Sequence, residues 1–268
     1  MSLSGIRGLL REVGVFGVAA GFAMVASFGA VPAQRIAGIE VQGSPAIRAT
    51  AARLGLEAGL GRPVSDRIVM SAVERLKRIG RAAGVKVDFR SSPAGVWVCY
   101  RVRENPKIES VEFRGNTAMT GAELAGDLAL KHGQVLDYDV LYREVNRIPK
   151  IYLARKGVLY AGVLSPASVE VTGGRIVIDI QEFKLRSLEV RGASSDLRSA
   201  VLASLPLRRG QVLRRSDLLG GLFNVWQLPQ VKDVDYRPRF DRERGEITLV
   251  LNLVEQGREA LPRPAVAN

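Results

Sequence analysis

A five-residue phrase occurs three times along the chain, as Ile39-Glu40-Val41-Gln42-Gly43, Val111-Glu112-Phe113-Arg114-Gly115 and Leu188-Glu189-Val190-Arg191-Gly192. In each copy a second glycine stands eighteen positions after the first, at Gly61, Gly133 and Gly210. Successive copies lie 72 and 77 residues apart. The surroundings repeat as well: Gly133-Gln134-Val135-Leu136 returns as Gly210-Gln211-Val212-Leu213, and Gly61-Arg62-Pro63-Val64 fills the same slot. A short phrase and a later turn recurring in register mean a tandem array of small domains rather than one large fold. Units of this size bury only modest cores, so contacts between neighbouring copies are expected to help.

Between its glycines each copy reads as β-α-α-β-β. In the first, Ile36 to Val41 is strand-like and Pro45 to Leu56 is helix-prone. A second helix follows Ser65 or Asp66 with Ile68, Val69, Ala72, Val73, Leu76 and Ile79 at three- and four-residue spacing. After Gly84 the period becomes two, and Pro93-Ala94-Gly95 turns the chain into the strand Val96 to Val102. In the second copy Thr120 is placed to cap a helix carrying Glu123, Leu124, Leu128 and Leu130. Asp137 precedes another with Val140, Leu141, Val145 and Ile148. Pro149 is expected to kink or interrupt that helix before Tyr152, because proline lacks a backbone donor and crowds the preceding turn. Val169 to Ile180, around Gly173-Gly174, reads as a hairpin. In the third copy Leu218, Leu219, Leu222, Val225 and Trp226 mark the second helix, and Pro229 stops it. Short polar junctions at Glu104-Asn105-Pro106 and Glu182-Phe183-Lys184 leave little room for flexible linkers, so a semi-rigid rod is expected. The copies span 35–105, 106–183 and 184–256. The tail 257–268, with two prolines and no periodicity, is expected to be disordered.

Residues 1–33 form a different physical class. Arg7 and Arg11 precede an apolar run from Val13 to Ala30, and Val31-Pro32-Ala33 offers small residues for cleavage before Gln34. This pattern reads as an export signal; the rival reading is an uncleaved membrane anchor. Either way the repeats are expected outside the cytoplasm.

The β-α-α-β-β order, the first-strand phrase, the glycine turn before the second helix and the closing strands ending in Glu104, Glu182 and Glu255 resemble POTRA (polypeptide-transport-associated) domains. The run Pro106-Lys107-Ile108-Glu109-Ser110-Val111-Glu112-Phe113-Arg114-Gly115-Asn116 is similar to POTRA domains of BamA-type outer-membrane assembly factors. The resemblance covers about residues 35–256. It implies an α+β fold, each copy a three-stranded mixed sheet with two helices on one face and the second strand at an edge. It also implies a non-catalytic periplasmic scaffold associated with the outer membrane. The partners it implies are an outer-membrane barrel protein or assembly-complex subunits and unfolded outer-membrane polypeptides, bound by β-augmentation at open edges. The candidate edges are Val85 to Phe89, Val163 to Val171 and Val231 to Tyr236, with Val85, Val87, Phe89, Val163, Val169, Val171, Val231, Val234 and Tyr236 as partner-binding positions. The chain departs from the family in lacking, after Glu255, the roughly eight strands of ten residues that the smallest barrel needs. It therefore reads as a free or anchored scaffold, or as part of a longer protein. A second resemblance, to FtsQ/DivIB cell-division scaffolds with an N-terminal anchor and a POTRA domain, places it at the inner membrane instead.

Charge distinguishes the copies. Residues 35–105 carry 13 basic and 6 acidic groups, 106–183 carry 9 and 10, and 184–257 carry 13 and 9. Arg208, Arg209, Arg214 and Arg215 are candidates for contact with an anionic membrane surface. Nucleic acid is not an expected partner: six tyrosines, eight phenylalanines and two tryptophans form no stacking array. Neither is catalysis. His132, the one histidine, lies beside the turn at Gly133, and no His/Cys metal cluster or phosphate-binding glycine loop is present, so no cofactor or metal is expected. The pairs Asp137/Asp139 and Asp233/Asp235 read as a helix start and a strand's solvent face. Cys99, alone in the chain, cannot form an internal disulfide and reads as core packing.

Overall fold

The computed structural model describes residues 34–256. The expected signal or anchor, 1–33, and the expected disordered tail, 257–268, lie outside the described residues. Two compact units result: one takes the residues up to Ser110 with Leu130–Arg143 and Val171–Ile176, the other Val111–Ala129, Glu144–Glu170 and the residues from Val177 on.

The first copy runs β1 (Ile36–Gln42), α1 (Pro45–Ala51), α2 (Asp66–Lys77), β2 (Ala82–Ser92) and β3 (Gly95–Glu104). Ser44 starts α1, its hydroxyl accepting from the Ile47 amide at 3.3 Å, with Pro45 in the first turn. The helix expected to reach Leu56 ends at Ala51 and tightens into 3₁₀ turns at Ala52–Leu54 and Leu56–Gly59, because Gly55 between them is left-handed. The sheet order is β1-β3-β2, with β3 central, parallel to β1 and antiparallel to β2. Along β3 every second residue, Val98, Tyr100 and Val102, enters one core with Ile47, Ala51, Val69, Ala72, Val73 and Leu76 from the helices. Burying such side chains contributes roughly 1.5–3 kcal/mol each before chain entropy is set against it.

The second copy runs β4 (Ser110–Arg114), α3 (Gly121–Asp127), α4 (Tyr138–Lys156), β5 (Ala161–Gly162), β6 (Val169–Thr172), β7 (Arg175–Asp179) and β8 (Gln181–Glu182). Its sheet order is β4-β7-β6, and β5 pairs with β8 separately. Helix α4 runs unbroken through Pro149, so the expected interruption does not occur. Tertiary packing outweighs the missing donor: Ile148, Ile151 and Tyr152, on either side of the proline, are buried. Leu128 and Leu130, expected on the first helix, lie past its end but are buried all the same.

The third copy runs β9 (Lys184–Arg191), α5 (Ser195–Ser204), α6 (Arg215–Trp226), β10 (Val231–Asp241) and β11 (Glu246–Glu255). Its sheet order, β10-β11-β9, repeats that of the first copy, β11 lying parallel to β9 and antiparallel to β10. Leu218 and Val225 of α6 enter the core with Leu197 and Val201 of α5 and Leu249, Leu251 and Leu253 of β11. Leu219 and Trp226, expected on the same apolar face, are exposed instead.

The two junctions are built rather than loose. Asn105 is buried, and its side-chain amide donates to the carbonyls of Gly80 at 2.8 Å and Leu136 at 2.9 Å. Phe183 is also buried, its amide donating to the Tyr160 carbonyl at 3.0 Å and its ring meeting Phe240 edge-on at 5.1 Å.

Candidate functional site: covered and open sheet edges

The repeated glycines have one geometric job in all three copies. Gly61, Gly133 and Gly210 are left-handed, with φ of 72°, 80° and 83°. Each turns its amide onto a residue at the start of its copy's first strand or, in the second copy, two residues before it: Gly61 donates to the Ile36 carbonyl at 2.9 Å, Gly133 to Ile108 at 2.8 Å and Gly210 to Leu185 at 2.7 Å. The amides of Ile36, Ile108 and Leu185 donate back to the carbonyls of Arg62, Gln134 and Gln211, at 2.9, 2.7 and 2.8 Å. The turn before the second helix thus closes the outer side of the first strand where it begins. Backbone groups left unpaired at a sheet edge are the attachment points for another strand, so covering one edge directs attention to the other.

That other edge is the second strand of each sheet, β2, β6 and β10, and the three differ. Strand β6 has only four residues. Val169 there is buried and Val171 half-buried, whereas Val163 lies before the strand in irregular chain and is not an edge residue. The expected strand from Val163 fails because Pro166–Ser168 forms a 3₁₀ turn instead.

Strand β10 is longer, but at three successive outward positions its donor is taken or missing. The Asp233 carboxylate accepts from the Val234 amide at 2.9 Å and that of Asp235 from the Tyr236 amide at 2.8 Å, which places these amides on the outer side. Directions alternate along an antiparallel strand, so the next outward position is Pro238, which has no N–H. Val231 is buried at the strand's start.

Strand β2 has eleven residues and no proline. Its pairs Val85↔Val102, Val87↔Tyr100 and Phe89↔Val98 match the register of Val234↔Leu253, Tyr236↔Leu251 and Pro238↔Leu249 in the third copy. The amides of Val85, Val87 and Phe89 therefore point outward, and no side chain among the described residues accepts from them. The side chains of Val85 and Val87 pack against the core, while Phe89 is 49% exposed.

The helix-free face of the first sheet is closed by charge. Arg90 pairs with Glu40 at 2.9 Å and Arg101 with Asp88 at 3.0 Å, and Cys99 lies beneath them with its Sγ 3.5 Å from the Glu40 carboxylate. Cys99 is buried, as expected, but on this face rather than in the main core. Burial, then the neighbouring Glu40 carboxylate, pushes its thiol pKa up. A disulfide-exchange reagent should leave Cys99 unmodified in the folded protein and react fully once denaturant is added; rapid labelling of the native chain would contradict this placement.

A carboxylate ties the C-terminal end of each copy to the loop after its first strand, from the last residue of β3 and of β11 and, in the second copy, from β8 just past the closing strand β7. Glu104 accepts from the Ser44 hydroxyl at 2.7 Å, Glu255 from Ser194 at 2.8 Å, and Glu182 from Thr117. Glu182 is buried and also accepts from the Ala118 amide and the Tyr152 hydroxyl, both at 2.8 Å. The closing glutamates stand out in the sequence, and the hydroxyl one or two places after each glycine was the signal that identifies their partner.

The middle copy adds a surface network. Thr120 and Glu123 form a reciprocal capping box at the start of α3, and Lys156 reaches Glu123 at 2.7 Å. The Lys156 hydrogen bond, followed by those from Thr120, lowers the Glu123 carboxyl to about 2. Arg155 lowers that of Asp127 likewise. Both groups bind protons more readily when unfolded, so their contribution is complete above the unfolded carboxyl range and disappears as pH falls through the folded values. Thermal scans should show stability declining as pH drops from about 4.5 towards 2, and less steeply in the Glu123→Gln/Asp127→Asn variant. An identical decline in both proteins would refute the assignment.

The remaining candidates have structural settings. His132 is exposed, its Nδ1 2.9 Å from the Glu109 carbonyl. Asp137 caps α4 by accepting from the amides of Asp139 and Val140. Arg208, Arg209 and Arg215 are exposed, and Arg214 donates to the Lys156 carbonyl at 2.9 Å. Among the described residues no group of three or more His, Cys, Asp or Glu is placed to hold a metal ion. No described helix is long and apolar enough to cross a membrane.

Residues 106–182 match the POTRA family model, described as a surface antigen variable number repeat. POTRA domains 1–3 of the periplasmic domain of Omp85 from Anabaena superpose with a TM-score of 0.63 at 17% identity, over 84% of this chain and 96% of that one. The repeats have the POTRA fold. The N-terminal domain of Omp85 from Thermosynechococcus elongatus agrees, with a TM-score of 0.62 at 18% identity, over 84% of this chain and 98% of that one. No curated protein matches the sequence. In POTRA terms the chain is a tandem array of three-stranded mixed sheets with helices, as the resemblance implied.

Proposed function

We propose that this chain is a non-catalytic periplasmic scaffold of three POTRA domains, 35–105, 106–183 and 184–256, that binds extended polypeptide in outer-membrane protein assembly or transport. Strand addition to the first copy is the binding mode. The observation that carries this reading is the contrast between edges: β2 presents three successive outward amides at Val85, Val87 and Phe89, whereas at the matching positions of β10 the Val234 and Tyr236 amides are bonded to Asp233 and Asp235 and Pro238 has none. Main-chain pairing needs few side-chain contacts, which suits a scaffold that receives many unfolded sequences. The likeness to Omp85 POTRA domains supports the periplasmic, outer-membrane setting.

Proline scanning tests the binding mode. Val87→Pro removes an outward donor from an edge strand and should leave the fold intact while weakening capture of an unfolded barrel polypeptide at least about tenfold. Asp88→Pro removes a donor facing β3 and should lower the melting temperature. Undiminished capture by a folded Val87→Pro chain would sink strand addition at β2.

A further inference from the structure

Helix α6 carries an apolar stripe that the third copy's core does not use. Leu219, Phe223 and Trp226 are 50%, 59% and 58% exposed, and their spacing of four and three residues puts them on one side of the helix. Leu218, Gly221 and Val225 form the buried side.

The fold does not require this stripe. Counted from the second glycine of each copy, the same positions hold Met70, Glu74 and Lys77 in the first and Tyr142, Asn146 and Pro149 in the second. In the first copy Glu74 and Lys77 form a solvent-facing ion pair at 3.1 Å. Only the third copy places three large apolar side chains there.

Charge selects the occupant. Arg208 and Arg209 lie in the turn leading to α6 and Arg215 opens it; all three are exposed and have no carboxylate partner among the described residues. Asp217, the helix's one acidic residue, is half-buried on the side away from Leu219 and bonded to the Ser216 hydroxyl at 3.0 Å. An apolar ridge of Leu, Phe and Trp with Arg215 one turn before Leu219, Arg208 and Arg209 in the segment leading to the helix, and no exposed acid on it matches an anionic bilayer interface, where tryptophan and phenylalanine settle at headgroup depth. We propose that α6 docks the third copy on an anionic lipid surface, with Leu219, Phe223 and Trp226 entering the interface and Arg208, Arg209 and Arg215 contacting headgroups. This lipid site is separate from the β2 edge and does not depend on it.

Trp226 supplies its own reporter. In the full chain with Trp97→Phe, Trp226 is the sole tryptophan. Its emission should shift to the blue and be quenched by phosphatidylcholine vesicles that contain phosphatidylglycerol and brominated acyl chains. Vesicles of brominated phosphatidylcholine alone should produce neither effect. Arg208→Ser/Arg209→Ser/Arg215→Ser should weaken partitioning about 100-fold, and Leu219→Ser/Phe223→Ser at least about tenfold. Association through residues 1–33 would sediment the chain while leaving Trp226 unquenched, and that result overturns the proposal. So would a Trp226 that remains unquenched because the stripe serves a protein partner, or quenching that persists in the Leu219/Phe223 variant.

Discussion

Replacing Glu182 with alanine should cost the protein about 3–5 kcal/mol. One buried side chain accepts from the Thr117 hydroxyl, the Ala118 amide and the Tyr152 hydroxyl, and Tyr152 itself is fully buried. Truncation leaves the buried Tyr152 hydroxyl without an acceptor at about 1–3 kcal/mol and removes the Ala118 and Thr117 bonds, of which water can replace the one to the exposed Thr117. Burial and then the Glu182 carboxylate push the Tyr152 phenol well above its ordinary pKa, so it stays a neutral donor. Glu255→Ala loses the Ser194 hydroxyl bond at a less buried position and should cost only about 1 kcal/mol. Denaturant melts of the two variants measure the difference, and equal losses would contradict the ranking.

The second large effect lies at the glycines. In Gly115→Ala the added Cβ would collide with the Ile180 carbonyl, in a backbone already at φ 75°. The left-handed conformation alone costs about 1–2 kcal/mol for an L-residue, and the collision raises the loss to about 3–5 kcal/mol. Gly192→Ala repeats the situation against the Leu253 carbonyl. Gly133 is left-handed too, but nothing lies within 4 Å of a Cβ there, so Gly133→Ala should cost about 1 kcal/mol. Thermal unfolding of the pair separates a glycine that permits close approach from one that only turns the chain.

That distinction marks what the sequence disclosed. Recurrence at fixed offsets revealed the copies, because five of the six repeated glycines, all but Gly43, stand at left-handed positions that favour glycine. It did not reveal that Gly61, Gly133 and Gly210 cover the first strand, since a hydrogen bond across a strand leaves no periodic trace. Alternation located β2, and the resemblance marked β2 and β10 as equal edges; only the Asp233 and Asp235 bonds to neighbouring amides, with Pro238, separate them. Val163 was placed on an edge strand by the family resemblance, and local turn geometry at Pro166 prevailed. Pro149 was expected to kink or interrupt its helix, and the helix continues through it with buried residues on either side. Leu219 and Trp226 satisfied the helical period but point to solvent, because periodicity defines an apolar arc without saying how much of it the core can cover.

Strand addition at β2 requires an acceptor edge there and none at the matching positions of β10. Amide hydrogen exchange of the full chain tests it most directly, with and without a synthetic peptide of about ten alternating apolar and polar residues, the pattern of a barrel strand. Saturating peptide should slow exchange within Ala82–Ser92, foremost at Val85, Val87 and Phe89, and leave Val231–Asp241 unchanged. Protection of Val231–Asp241, or bound peptide with no change along Ala82–Ser92, would contradict it.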